Sequence, residues 1–208
     1  MKKLLDKLKL KVCGMRNTEN ILQVALSVKP DYMGFIFYKK SPRYVGEEFV
    51  MPSISADVRK VALTVNMPTD EIIARVEKYT FEYVQFHGDE TPKEVELVKK
   101  RGISTIKVFH LDEKFDFTSL LPFEPHVDYF LFDTPTVKYG GSGKTFNWQL
   151  LQNYKMEIPF FLSGGLNPDN LKDVENIDHP QLFGLDVNSG FETAPGLKDV
   201  KKLIELRS

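Results

Sequence analysis

Apolar and polar residues alternate along the chain in short runs that switch repeatedly between two periods. Leu8, Leu10 and Val12 alternate with Lys9 and Lys11, a period of two that predicts a β-strand ending at Cys13-Gly14. Asn17 or Thr18 then reads as the cap of a helix over 17–28. The pairing recurs. Further strands are predicted at 31–37, 59–65, 83–86, 104–109, 128–132, 159–162 and 181–187. The intervening helices fall near 47–55, from Thr69 or Asp70 to Tyr79, and from Thr91-Pro92 to Arg101, where Gly102 stops the helix. Shorter ones are expected at 117–121 and 147–152, after Asn167-Pro168-Asp169, and last at about 197–206. Eight strands alternating with about eight helices, with no hairpin turn between strands, indicate a parallel sheet. Over 208 residues this fits an α/β fold of a single (β/α)8 barrel domain spanning 1–208. The competitor is a doubly wound open sheet, but no G-x-G-x-x-G follows the first strand.

Composition narrows the class of partner. The formal net charge is -1, with Lys and Arg scattered, so no basic face invites nucleic acid or a membrane surface. The single cysteine precludes an intrachain disulfide and supplies no metal-ligand set, which fits a reducing, cytoplasmic setting. The N-terminal MKKLLDKLKLK lacks an apolar run of signal-peptide length. The oligomeric state is not given by the sequence.

A barrel concentrates its chemistry at the C-terminal ends of its strands. Those ends carry Cys13, Asn66, His87, Asp133, Ser163 and Asp186, with Arg43 in the loop after the second strand. Cys13 is either a small buried hydrophobe or a nucleophile or base whose thiolate is favoured by Lys11, two residues away on the same strand face. Asp133 follows an apolar run. It either opens the next loop with an Asx turn or, desolvated, donates a proton near neutral pH. His87 is a structural imidazole or a site residue, and Arg43 is a solvated loop residue or a clamp for a planar carboxylate. Gly164-Gly165 and Ser189-Gly190, beside Asp186, follow the seventh and eighth strands, where barrels commonly bind phosphate. The loop containing GGSGKT lacks the spacing of a nucleotide P-loop. It reads instead as a lid, with Tyr139 and Phe146 to cover a ligand.

The motifs KVCGMRN, MGFIFYKKSPRYV, VQFHGDE, FLFDT, GGSGKTFNW, FLSGGLNPDN and GLDVNSGFE occur in this order. In them the chain, from Leu10 on, resembles the phosphoribosylanthranilate isomerases of tryptophan biosynthesis. The resemblance implies a barrel that needs no metal and no organic cofactor. It implies a phosphosugar substrate, N-(5-phosphoribosyl)anthranilate, rearranged to 1-(2-carboxyphenylamino)-1-deoxyribulose 5-phosphate. By the same resemblance Cys13 is the general base, Asp133 the general acid, and Arg43 the holder of the anthranilate carboxylate. His87 is expected among the binding residues, and the SGG and DVNSG segments hold the phosphate. Arg16-Asn17 depart mildly from the pattern, standing where many relatives have a threonine. The alternatives are a histidine-pathway phosphosugar isomerase, for which the resemblance implies an aspartate at the position of Cys13, a Schiff-base aldolase using Lys11 or Lys107, and a non-catalytic phosphate-ligand sensor on the same barrel, against which the acid and base candidates and Arg43 argue.

Overall fold

The computed structural model describes residues 7–135 and 145–207. Its centre is a closed barrel of eight parallel strands in sequence order. These are β1 Lys9–Val12, β2 Tyr32–Ile36, β3 Arg59–Thr64, β4 Tyr83–Phe86, β5 Ser104–His110, β6 Tyr129–Asp133, β7 Phe160–Leu162 and β8 Leu182–Val187. β8 closes on β1 with Lys11 opposite Asp186. A two-stranded antiparallel ribbon follows, β9 Glu192–Ala194 with β10 Leu197–Lys198. Among the described residues, four α-helices lie outside: α1 Thr18–Ser27, α2 Thr69–Tyr79, α3 Pro92–Lys99 and α4 Val200–Arg207. The described residues include no helix long and apolar enough to cross a membrane.

The expected (β/α)8 architecture is therefore present, but several of its helices are reduced. Asn17 caps α1 by accepting from Asn20 N, and Thr91 and Glu94 cap α3 reciprocally. The segments expected as helices at 117–121, 147–152 and after 167–169 are 3-10 turns, at Phe117–His126, Trp148–Asn153 and Leu171–Asn176. Pro122 and Pro125 prevent an α-helix in the first. No helix forms at 47–55. Pro52 cannot donate there and disfavours a helical Met51. Phe49 packs instead on Phe35 and Tyr79, and its carbonyl accepts from Tyr79 Oη at 3.1 Å. At the C-terminus, Leu197–Lys198 is strand rather than helix. The Asn20 amide bonds both the N–H and the C=O of Lys198, at 2.7 and 2.9 Å, as a neighbouring strand would.

Strand side chains alternate between two environments, as a pleat requires. Outward residues such as Val12, Phe35, Val84, Phe130 and Phe160 join the layer between strands and helices. Inward residues at the N-terminal end form an aromatic floor. There Tyr32 meets Tyr83 and Phe161 edge-on, each at 5.3 Å, and Tyr129 lies 4.6 Å from Phe183. Each such pair adds about 0.5–1.5 kcal/mol beyond area burial. The inside of the barrel is thus sealed below and left polar above.

Lys107 points outward from β5. Its ammonium is buried and bonds Glu90 at 3.1 Å and the Gly88 carbonyl at 2.7 Å. Glu90 also accepts from Asn66 N and Gly88 N, fixing the loop that carries His87. This lysine does not face the barrel mouth, which disfavours its use as a Schiff-base nucleophile. Removing one partner of a buried pair leaves the other charge uncompensated. Glu90→Ala should cost about 3–5 kcal/mol of stability. Chemical denaturation would check this, and a loss within experimental error would show that the pair is not the anchor of this loop.

Candidate active site

The polar upper end of the barrel opens into a cavity of about 450 Å³. Cys13, Arg43, His87 and Asp133 line it, as do Gly164, Gly165, Asp186 and Ser189. Of the residues expected from sequence, only Gly190 lies off the lining, in the turn just after Ser189. The loop read as a lid, 136–144 with Tyr139, lies outside the described residues. Phe146 is buried, with its N–H bonded to Thr134 Oγ1 at 3.0 Å.

Cys13 sits beyond the end of β1, above a fully buried ion pair. Lys11 Nζ lies 2.8 Å from Asp186 Oδ1, with the two side chains 0% and 5% exposed. Both residues face inward because β1 and β8 pair in register at this level. Gly34 on β2 makes room for them. A Cβ there would lie 2.8 Å from Cys13 Sγ and 3.2 Å from Lys11 Nζ. The expectation that Lys11 favours the thiolate needs correction in degree. Burial pushes the Cys13 thiol up, Asp186 adds to this, and Lys11 and Lys198 only partly offset it. Burial disfavours the Lys11 ammonium too, yet Asp186 and Cys13 outweigh it and hold its proton more tightly than usual. The lysine is committed to its partners as a cation, which removes it as a free amine nucleophile.

Asp133 ends β6 on the far side of the cavity. Burial lifts its carboxyl to about 7, although Thr134 N donates to Oδ1 at 2.8 Å. Gly164 passes close by, and a Cβ there would come within 2.8 Å of Asp133 Oδ1. His87 Nε2 stands 3.6 Å from Asp133 Oδ2. Burial, with His110 and two lysines nearby, lowers the His87 imidazole to about 3, so the contact joins a neutral ring to the carboxyl group.

Arg43 does not project into water. Its Nε and Nη2 hold Glu192 at 2.9 and 2.7 Å, and Glu192 also accepts from Lys198 Nζ at 2.6 Å. Lys198 Nζ in turn reaches Asn188 Oδ1 at 2.6 Å. Burial lowers Lys198 to about 8, against the pull of Glu192. This network ties the loop after β2 to the β9–β10 ribbon. It occupies one edge of the guanidinium, and the Nη1–Nη2 edge remains for a ligand carboxylate.

In the loop after β7, Gly164 and Gly165 take left-handed φ values of +86° and +67°. The Asn167 and Asn170 side chains both donate to Gly165 O, at 3.0 and 2.8 Å, turning the carbonyl toward the loop. Among the described residues, the N–H groups of Gly164, Gly165, Ser189 and Gly190 donate no backbone hydrogen bond. Gly164, Gly165 and Ser189 line the cavity, and main-chain amides in such turns suit an anion.

Sequence reasoning missed Glu192, Lys198 and His110. Glu192 stands in the DVNSGFE motif, but its role as the internal partner of Arg43 depends on contacts 149 residues apart. His110 was placed just past a strand ending at 109, whereas β5 includes it opposite Asp133.

Comparison with known proteins agrees with this geometry. Residues 10–207 match the family model described as N-(5'-phosphoribosyl)anthranilate (PRA) isomerase. The N-(5'-phosphoribosyl)anthranilate isomerase of Parabacteroides distasonis is 44% identical over 93% of this chain and 89% of that protein. That of Aquifex aeolicus is 40% identical over 95% of each. The crystal structure of phosphoribosyl anthranilate isomerase from Thermotoga maritima matches with a TM-score of 0.82 at 32% identity, over 96% of both chains. Another, in complex with reduced 1-(o-carboxyphenylamino)-1-deoxyribulose 5-phosphate, matches with a TM-score of 0.76 at 27% identity, over 96% of both chains. The chain belongs to the N-(5'-phosphoribosyl)anthranilate isomerase family.

Proposed function

We propose that this chain catalyses the Amadori rearrangement of N-(5-phosphoribosyl)anthranilate to 1-(2-carboxyphenylamino)-1-deoxyribulose 5-phosphate. Cys13 is the general base and Asp133 the general acid. The observation that carries this reading is the placement of a thiol and a carboxyl of raised pKa on opposite walls of one cavity. An anion cradle and an arginine edge flank them. The free amides at Gly164, Gly165, Ser189 and Gly190 take the phosphate. Arg43 takes the anthranilate carboxylate, with Glu192 keeping its plane fixed. His87 lines the aryl side.

Asp133 gives its proton to the furanose ring oxygen as the bond from that oxygen to C1 breaks. The anilino nitrogen lone pair forms the C1=N double bond of a cationic Schiff base. That cation acidifies the proton on C2. The Cys13 thiolate removes it, and the C2–H electron pair becomes the C1=C2 bond of an enolamine. Protonation at C1 and loss of the hydroxyl proton at C2 then give the ketone. No electron leaves or enters, so the residues present suffice.

The resting protonation states shape the pH dependence. The reactive form needs a thiolate beside a carboxylic acid, yet the thiol is the weaker acid of the two. The pair holds one proton between about 7, where Asp133 titrates, and the raised value of Cys13. Within that window the thiol–carboxylate form predominates and the thiolate–acid form reacts. Both carry one proton, so their populations rise and fall together. kcat/KM should therefore rise with pH through about 7 and fall only above the ordinary thiol range. A profile that falls through 7 would instead mean that the thiolate is already formed at lower pH.

General acid or base assistance contributes about 10²–10⁴ in rate. Cys13→Ala and Asp133→Asn should each lower kcat by at least that factor while retaining affinity for the phosphorylated product. Steady-state kinetics paired with calorimetric product binding would check this. Near-normal turnover in either variant would remove that residue from its role.

A further inference from the structure

A third group stands beside His87 and Asp133 that the proton-transfer chemistry does not use. His110 is the last residue of β5 and pairs in register with Asp133, the last residue of β6. His87 follows the end of the neighbouring β4, and its ring lies 5.5 Å from that of His110. One ligand atom from each of His87, His110 and Asp133 lies within 4.8 Å of the other two. Donors on one transition ion, each about 2.0–2.2 Å from it, stand about 3–4 Å apart. The 3.6 Å between His87 Nε2 and Asp133 Oδ2 already falls in that range.

The surroundings of this cluster are those of a metal site. The Thr134 main chain lies beside the His110 ring. Behind His87, the Gln85 amide lies 3.3 Å from Nδ1. Gln85 is fully buried, and its Oε1 has no hydrogen-bond partner among the described residues. Turning that amide places Oε1 on an Nδ1–H and leaves the Nε2 lone pair directed at Asp133 Oδ2. The imidazole is thereby backed by an outer hydrogen bond, as metal-bound histidines are.

We propose that His87, His110 and Asp133 form a binding site for a borderline divalent ion of the zinc, cobalt or nickel class at the rim of the barrel. Two imidazole nitrogens and one carboxylate oxygen suit such ions and not magnesium or calcium. Three protein ligands leave at least one position open to water or ligand. The ion takes the place of the proton on Asp133. On the reading that Asp133 is the acid, a filled site therefore cannot protonate the ring oxygen, and the ion inhibits. His110 is assigned no proton transfer in the metal-free reaction, so the zinc response of each variant is read against its own zinc-free rate.

Zinc alone is the probe. Equilibrium dialysis of the full chain should find one zinc ion per molecule. His110→Ala and His110→Gln should bind it at least tenfold more weakly, and Cys13→Ser should bind it as the wild type does. In turnover assays zinc should inhibit the wild type at least tenfold more strongly than His110→Ala. Equal zinc binding in both His110 variants, binding lost in Cys13→Ser, or no bound zinc would overturn the site. Zinc held through His110 with turnover unaffected would support the site and overturn the acid role of Asp133, so the two failures are distinguishable.

Discussion

The buried pair of Lys11 and Asp186 is the constraint on which the site depends. It lies on the seam where β8 closes on β1, so the register that closes the barrel also fixes the pair. Taking two charges out of water is costly, and such a pair is weak evidence of stability in itself. Its position explains its presence. The ammonium sits directly below Cys13 and is the nearest cation able to steady a thiolate there. Gly34 contributes by having no side chain, because any Cβ would strike the sulfur. Across the mouth, β6 brings Asp133 to the same height. Closure of the cylinder thus brings two residues 120 positions apart to the wall of one cavity.

The two ends of the barrel are built from opposite materials. Below, Tyr32, Tyr83, Tyr129, Phe161 and Phe183 form a floor of ring contacts that excludes water. Above, Ile36, Leu63, Val65 and Val108 line part of the cavity, and the polar groups among them are tied to other elements. Arg43, Glu192, Lys198 and Asn188 form a chain of short hydrogen bonds that draws the loop after β2 against the β9–β10 ribbon. Glu192 keeps its negative charge against the cost of burial because Arg43 and Lys198 surround it. The dry floor makes the interior stiff, and the stiff interior holds the polar rim in place. Their own burial at the cavity wall raises the Asp133 carboxyl and lowers the His87 imidazole.

Much of this was readable from the amino acids. Short apolar or alternating runs located all eight barrel strands, and Asn17 and Thr91 marked helix starts that the structure retains. The rule that barrel chemistry gathers at strand ends selected Cys13, His87, Asp133 and Asp186 without knowledge of their contacts. What was not readable depends on distant partners. Pro52 was a local sign against the helix at 47–55, but the destination of Phe49 was not. Leu197–Lys198 looked helical because its strand partner includes the amide of Asn20, 178 residues away. Arg43 was legible as a carboxylate clamp, and the internal carboxylate that orients it was not. His110 did carry a signal, continuing the inward alternation of Ile106 and Val108, but the strand was ended one residue too soon.

The account holds that this barrel mouth is a proton-transfer site for an anthranilate-substituted phosphosugar. The most direct test is to follow phosphoribosylanthranilate, generated in situ, in the presence of the purified wild-type chain. Its consumption with matching appearance of the carboxyphenylamino-deoxyribulose phosphate is the predicted result. A folded chain that leaves this substrate unchanged would contradict the account and send the search to other phosphosugars.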